Sequence, residues 1–425
     1  MGNIMRSPLF RVTSLNGVSV IVKIAIGFVT SKVVAIFVGP AGMALVGNLR
    51  NFLTSAEGIA TLGFQNGIVK YIAEAKQDES ALKKVLSTIF ISLAAVTIVS
   101  SLLLFGLSNY WSASVFSGNE DFGKVFRIMA LAFPFYCASI FIVSVLNGLE
   151  KYRQVIWANI IGNVLGLAVS VILIYRYELF GAMLAIVLAP TTLFFVSLVY
   201  IGREINLLQN ISFASFDKTT LKNLGSYSLM TLFSAVFVPV VYLAIRQKAI
   251  AVSGIDAAGH WEAINRISTY YMLFISTLLT VYFLPKLVLS QTESEMKSVV
   301  KSYSKGILPL FFIALVILYL LRDFAINLLF TPDFVETREL FLWQLAGDFL
   351  KAASLILACI FFASRLTVAF IVSEVLSLAI LYVSSVFFLS VMGIKGLTVA
   401  HFVTYAFYFV GLVFYFRKII FRRSF

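Results

Sequence analysis

Charge is the first thing this chain has little of. Asp, Glu, Lys and Arg supply only 12% of its 425 residues, about half the share found in an ordinary soluble domain. With 60% of residues apolar and a mean hydropathy of +0.97, too little remains to build a water-solvated surface. Cysteine is nearly absent as well. Cys137 and Cys359 both lie in apolar runs, and no C-x-x-C or Cys/His spacing accompanies them, so neither a disulfide nor a metal site is indicated. Histidine occurs twice, at His260 and His401, far apart in sequence. No P-loop, dinucleotide fingerprint, H-E-x-x-H or Ser/His/Asp signature is present. The expectation is therefore a protein that is not an enzyme and uses no cofactor or metal. A cleavable leader is not expected either, because Lys23 interrupts the first apolar run and no small-residue cleavage site follows. Arg6 stands where myristoylation needs Ser or Thr.

What the chain has instead is long apolar runs. A membrane-crossing helix needs about 20 largely apolar residues. Turns and charges divide the sequence into twelve such segments, near 12–37, 41–66, 85–109, 124–147, 154–175, 179–202, 223–247, 257–284, 304–321, 338–362, 366–390 and 396–416. The reading is an all-α polytopic membrane protein. It has an N-terminal six-helix lobe over 1–203, a cytoplasmic linker over 204–222 and a C-terminal six-helix lobe over 223–425.

The net charge of +13 does not point to nucleic acid. Lys and Arg gather in the cytoplasmic loops of membrane proteins, which makes a basic chain ordinary. If the N-terminus is inside, twenty Lys and Arg fall on the cytoplasmic side, from Arg6 and Arg11 to Arg422 and Arg423, against eight outside. Both termini are expected in the cytoplasm.

The two halves echo one another. Ala41-Gly42 through Asn48 matches Ala258-Gly259 through Asn265, and Lys84 and Ser87 fall opposite Lys301 and Ser304 at the same offset of 217. Leu107 to Phe116 matches Leu321 to Phe330 at 214, and Gly181 to Ala185 matches Gly396 to Ala400 at 215. A repeat of six helices is even, so both halves enter the membrane from the same side and leave a path between them.

Charges inside the membrane cost a few kcal/mol or more each and mark function or pairing. Nine remain once the last few residues at each segment end are set aside: Lys23, Lys32, Arg50, Glu57, Glu262, Arg266, Asp348, Lys351 and Glu374. On helix 1, Asn16, Ser19, Lys23, Gly27 and Thr30 form one polar stripe; on helix 2, Arg50, Thr54, Glu57 and Thr61 form another. Helices 7 and 8 carry Tyr242, Arg246, Glu262 and Arg266. Helices 1, 2, 7 and 8 should therefore wall a hydrated central cavity, with the others outside. Two readings stand for several groups. Glu262 and Arg266 are an i,i+4 pair that can satisfy each other, Asp348 and Lys351 are an i,i+3 pair, and Lys32 and Arg246 can snorkel from helix ends. Glu374 has no evident partner. Lys23 and Arg50 have no acid within four residues, and a cationic cavity needs an anionic guest.

The stretches VGPAGMALVGNLRNF (38–52), FQNGIVKYIAEAK (64–76), VPVVYLAIR (238–246), LLRDFAINLLF (320–330) and WQLAGDFLK (343–351) carry a family resemblance. They resemble the polysaccharide-flippase branch, the lipid III and O-antigen flippases, of the multidrug/oligosaccharidyl-lipid/polysaccharide exporter superfamily. The resemblance spans nearly the whole chain. It implies two six-helix lobes forming a V around a central cavity in a bacterial inner membrane, and alternating access that moves an undecaprenyl-pyrophosphate oligosaccharide between leaflets. It also implies possible proximity to polysaccharide polymerase and chain-length machinery. On this reading Lys23, Lys32, Arg50, Arg246 and Arg266 are candidates for the pyrophosphate. Asn48, Asn51, Gln65 and Asn66 are candidates for sugar hydroxyls. Glu57, Asp348 and Lys351 are candidates for ion coupling or structural pairing. Two alternatives are a multidrug cation antiporter, whose cavity should be net acidic, and a polymerase or lipid-linked glycosyltransferase, which needs a sizeable outer loop or an acidic metal site.

Overall fold

A computed structural model of the chain describes residues 8–421. Arg6, Arg422 and Arg423 lie outside the described residues, as do the side chains of Arg11 and Asn16. Every regular element among the described residues is helical. Hydrocarbon offers the backbone no hydrogen-bond partner, and a helix satisfies its own N–H and C=O groups within one segment.

The first part of the chain forms α1 (Pro8–Ala60), α2 (Gln65–Ala75), α3 (Glu79–Gly106), α4 (Ser108–Val115), α5 (Gly123–Gly148), α6 (Tyr152–Leu188), α7 (Thr192–Ile201) and α8 (Leu207–Asn210). It continues through α9 (Lys218–Ser253), α10 (Ile255–Leu278), α11 (Leu284–Leu289), α12 (Glu293–Leu320) and α13 (Arg322–Leu329). A 3-10 stretch, Pro332–Leu340, then leads to α14 (Phe341–Ala363), α15 (Thr367–Met392), α16 (Lys395–Tyr415) and α17 (Arg417–Phe421).

Among the described residues, ten stretches are long and apolar enough to cross a membrane. Two exceed any single crossing, at 59 residues for Gly17–Ala75 and 50 for Tyr152–Ile201. Straight, 59 residues would reach about 90 Å, some three times the hydrocarbon thickness. Each contains a residue that cannot continue a helix: Gly39 at φ 66° in α1 and Glu178 at φ 46° in α6. The chain folds back at both. Lys23 and Glu57, Thr30 and Arg50, and Val34 and Val46 line one cavity and are symmetric about Pro40. In α6, a Cβ on Gly181 would fall on the carbonyl of Leu173, and Gly162 and Gly166 press against Leu193 and Ala189. The same backbone devices return 214 or 215 positions later: Gly254 at φ 88°, Gly393 at φ 61°, and the Leu321 cap that, like Leu107, separates a long helix from a short one.

The described chain packs as two compact units. One contains residues up to Val38 and Leu45–Leu243; the other contains Gly39–Ala44 and Ala244 onward. The division falls inside α9, whereas the sequence places it at the 204–222 linker. The reason is close backbone approach. Ser55 Oγ donates to the Val236 carbonyl at 2.9 Å, and a Cβ on Gly58 would lie 2.9 Å from that of Ala235. Small residues on α1 thus draw the first half of α9 into the first unit. The linker itself is strapped to α3. Ser87 Oγ accepts from Ser212 N at 3.0 Å, Thr88 Oγ1 accepts from Asp217 N at 3.0 Å, and Lys84 pairs with Asp217 at 3.4 Å.

Two apolar clusters hold the first unit, and α5 belongs to both. Phe141, Ile142 and Val145 pack with Ile68, Leu86 and Ile89; Phe126, Met129 and Phe133 pack with Leu49 and Met183. In the second unit α14 is the central post, with buried residues along its length, among them Asp348. Large apolar side chains such as Leu102, Phe105, Val383 and Phe387 are left exposed, the surface a lipid solvent accepts and water does not.

Two outcomes follow. Gly181→Val forces a side chain onto the Leu173 backbone and should cost about 1–3 kcal/mol or more in thermal unfolding. Gly411→Ala, which meets open space, should leave stability unchanged or raise it. The strap should respond to acid. Hydrogen bonds from Thr220, then the Lys84 contact, hold the Asp217 carboxyl below its ordinary value. A lowered carboxyl stabilises the folded strap above the ordinary range, near about pH 4. That contribution is lost as pH falls through the lowered value. The protection of the Ser212 and Asp217 amides, corrected for the intrinsic pH dependence of exchange, should be high at neutral pH and fall only in that acidic window.

Candidate functional site

A cavity of about 460 Å³ lies within the first unit, inside the range of about 300–1,000 Å³ typical of ligand sites. Its charged lining residues are Lys23 and Arg50 from the two arms of α1, and Glu57 one and a half to two turns beyond Arg50. Two cations and one carboxylate leave the cavity net positive.

Glu57 is held firmly. Its Oε2 accepts from the Tyr136 hydroxyl at 2.5 Å and its Oε1 from Gln65 Nε2 at 3.4 Å, with Lys23 within electrostatic reach. α5, pinned by both apolar clusters, brings Tyr136 there. The carboxylate thus has a hydroxyl donor in direct contact and a lysine cation within electrostatic reach.

The rest of the wall shows a common pattern. Thr30, Thr54 and Ser170 donate their hydroxyl hydrogens to carbonyls four residues back in their own helices, at 2.8–2.9 Å. Asn159 and Asn163 spend an amide hydrogen the same way, at 2.9 and 2.7 Å. Thr192 donates across the α6 hairpin to Gly162 at 2.8 Å. With donors committed to the backbone, the oxygens are left as acceptors for a guest rich in hydroxyl donors.

The predicted residues divide clearly. Lys23, Arg50 and Glu57 meet in this cavity. Lys32, nine residues beyond Lys23, lies half a turn round the helix and is not in its wall. Asn48 is fully buried and donates to the Val115 carbonyl at 3.1 Å, a packing role instead of a sugar contact. Asn51 and Asn66 do not line the cavity, and Gln65 reaches it only through Glu57. The expected wall also changes: α6 and α7, read as outer helices, form one side of it. Tyr136, Asn159, Asn163, Ser170 and Thr192 are the residues that sequence reasoning missed. A signal existed, because Asn159, Asn163, Gly166 and Ser170 are spaced 4, 3 and 4, one face of a helix.

The second unit contains two buried polar clusters. In the first, Glu262 accepts from Arg246 at 2.5 Å and from Arg266 Nε at 2.7 Å. Arg246 is 1% exposed and lies over the Trp261 ring at 5.3 Å. It neither snorkels nor presents a surface to a headgroup, which corrects the expected pyrophosphate role. Its charge is taken up by Glu262. In the second cluster stands Asp348, read from the sequence either as a partner of Lys351 or as a functional group. Its Oδ2 accepts from Ser268 at 2.6 Å, Tyr271 at 2.5 Å and Gln344 at 3.4 Å, its Oδ1 meets His401 Nε2 at 2.9 Å, and Lys351 is within electrostatic reach. Lys351 lies over the Tyr405 ring at 5.3 Å and within electrostatic reach of Glu374, the residue without an evident partner in the sequence.

Comparison with known proteins adds to this geometry. A family model described as polysaccharide biosynthesis protein matches residues 9–291. The chain is 31% identical over 398 residues to a lipid III flippase of Escherichia coli (strain K12), covering 92% of this chain and 94% of that protein. It matches a lipid III flippase of Shigella flexneri to the same extent. Among solved structures, an inward-facing multidrug resistance MATE transporter of the MOP superfamily aligns with TM-score 0.79 at 12% identity, over 95% of this chain and all of that one. A MOP superfamily transporter from Pyrococcus furiosus, described as having a binding pocket of reverse polarity, aligns with TM-score 0.72 at 15% identity, over 99% and 98%. These distant likenesses show the all-α transporter fold.

The Arg246–Glu262–Arg266 cluster gives a stability test. Glu262→Gln removes the carboxylate that holds both Arg246 and Arg266 and should lower unfolding free energy by about 3–5 kcal/mol. Adding Arg246→Leu, which removes the more deeply buried of the two charges, should restore part of that loss in the same thermal unfolding measurement.

Proposed function

Because this chain belongs to the polysaccharide biosynthesis protein family, whose relatives named above are flippases and not enzymes, we propose that it flips an undecaprenyl-pyrophosphate-linked oligosaccharide from the cytoplasmic to the periplasmic leaflet. The observation that carries this reading is the cavity of the first unit: Lys23 and Arg50 against a single Glu57, beside a wall of hydrogen-bond acceptors. The pyrophosphate is drawn by the two cations, and the planar Arg50 guanidinium suits two phosphate oxygens. Sugar hydroxyls donate to the oxygens of Asn159, Asn163 and Ser170. The polyprenyl tail stays in lipid.

The rest of the reading concerns placement. The two folded-back stretches each cross the bilayer as a hairpin, giving twelve crossings. Both termini face the cytoplasm, in keeping with the twenty-to-eight division of Lys and Arg. Translocation proceeds by alternating access.

A cation exporter would need a cavity of the opposite sign, and the likeness to MATE proteins concerns the fold alone. The test is leaflet translocation of a labelled undecaprenyl-pyrophosphate glycan in proteoliposomes. Losing one charge-assisted hydrogen bond is worth about 1.5–3 kcal/mol, so Arg50→Ala should weaken apparent affinity about 10- to 100-fold, with Arg50→Lys intermediate. A wild-type protein that moves no lipid-linked glycan and exports a cationic dye overturns the proposal.

A further inference from the structure

The second unit has a cavity of its own, apart from the site described above. It is a groove of about 440 Å³ lined from α12, α14 and α16. α12 and α14 run antiparallel through it. The Phe312 and Phe349 rings meet at 5.4 Å, so seven residues farther along, Tyr319 comes level with Leu342. α16 seats closely on α14 because Gly347 has no side chain there: a Cβ would lie 3.1 Å from the Phe402 backbone. That seating brings Phe402 to the groove, its ring 5.2 Å from that of Trp343. Leu315 and Leu345, each 5% exposed, form the floor, and Phe312 and Leu342, each 52% exposed, stand at the edges. We propose that this groove holds one acyl chain of a bilayer phospholipid whose phosphate rests on Arg322.

The lining accounts for the chain and the rim for the headgroup. Apart from the Tyr319 hydroxyl, every side chain of the lining is apolar. An empty groove forfeits the dispersion contacts that a chain seated against three helices makes. A hydrocarbon gains little hydrophobic free energy by moving there from the bilayer, however, because lipid tails are as apolar as leucine. Selection therefore rests on the polar end. There the chain turns from α12 into α13 at the Leu321 cap, and Arg322 stands over the Tyr319 ring at 4.5 Å. Its Nη1 donates to the Tyr319 carbonyl at 3.0 Å; the other N–H groups of the fork meet no acceptor among the described residues. Tyr319 is thus both a wall of the groove and the platform of the cation. Other charges at this end are engaged, Glu339 with Lys395 and Glu336 with His260. Arg322 and Arg338 are left against the exposed Asp323 and Asp333. So balanced a set does not suit a polyanionic pyrophosphate. It suits the single phosphate of a diacyl lipid, which a guanidinium fork binds through two oxygens.

The fold also gives the groove a direction. At its far end Phe361 of α14 packs on Tyr415 and Phe416, and α17, which continues α16, packs against α12. The space between α12 and α16 is closed there and open toward Arg322. A slot with one open end takes a chain that enters and stops, whereas a partner helix would need to run through it. Trp343 is exposed at the same end as Tyr319 and Arg322, the aromatic and basic company found where a membrane meets water. The topology proposed above puts this end at the periplasmic surface, so the lipid comes from the outer leaflet. Bound there, it ties α12 to α16 across α14.

The test uses the whole protein in dodecyl maltoside, a detergent without phosphate. Native mass spectrometry with added phosphatidylglycerol should show one lipid retained per chain. A diacylglycerol with the same acyl chains should be retained about tenfold less or weaker still, the loss of one charge-assisted contact. Arg322→Gln should bring phosphatidylglycerol down to the diacylglycerol level. A phosphatidylglycerol with a photoactivatable acyl chain should label the peptides that contain Phe312–Tyr319 and Leu342–Leu350. Ala346→Phe fills the groove beside its floor and should abolish that labelling, while labelling of the lipid-facing α15 persists and shows the variant folded. Label spread evenly over the lipid-facing helices overturns the proposal, as does equal retention of the two lipids or wild-type retention by Arg322→Gln. Displacement by a polyprenyl phosphate at lower concentration than by phosphatidylglycerol gives the groove to an isoprenoid chain and overturns it too. So does a dimer of the chain in place of the lipid adduct. None of these measurements requires glycan movement, so the flippase reading stands or falls separately.

Discussion

Everything distinctive in this molecule follows from the cost of holding charge away from water. The chain removes most charges altogether and surrounds the few it keeps with partners. Glu262 takes two arginines, Asp348 takes three donors and a histidine, and Glu57 takes a tyrosine, a glutamine and a lysine. Helix placement is subordinate to those arrangements. α5 and α14, the most thoroughly packed posts of the two units, are the helices that carry Tyr136 and Asp348.

The two units use buried polarity differently. In the first, cations line an accessible cavity and the carboxylate among them is the minority charge. In the second, the cations and carboxylates are folded into closed networks with little exposure. An open cavity leaves its charges within reach of a guest, while a closed network satisfies them within the protein.

The sequence displayed the fold class through hydropathy alone, and it displayed Lys23, Arg50 and Glu57 because helical periodicity lines them up on two stripes. What it hid has physical causes. Arg246 and Glu262 are sixteen residues apart on different helices, so nothing local announces their pairing. His401 reads as a residue near a helix end until α14 is packed against α16. Asn48 reads as a polar cavity residue because a side-chain amide has the same letter whether it meets a ligand or the Val115 carbonyl. The division of the units inside α9 depends on how closely Gly58 and Gly63 let two backbones approach, and residue spacing does not encode which neighbour a glycine will meet. The Asn159–Ser170 stripe was visible but outweighed by the apolar character of its helix.

Glu57 has one more consequence. The cavity already contains an anion of its own, fixed by Tyr136 and within electrostatic reach of Lys23. On the proposed reading, a phosphate group that reaches Lys23 competes with this resident carboxylate, and the net gain on arrival is smaller than the lysine–phosphate attraction alone. A tethered competitor of this kind would keep a charged cargo from binding too tightly to leave.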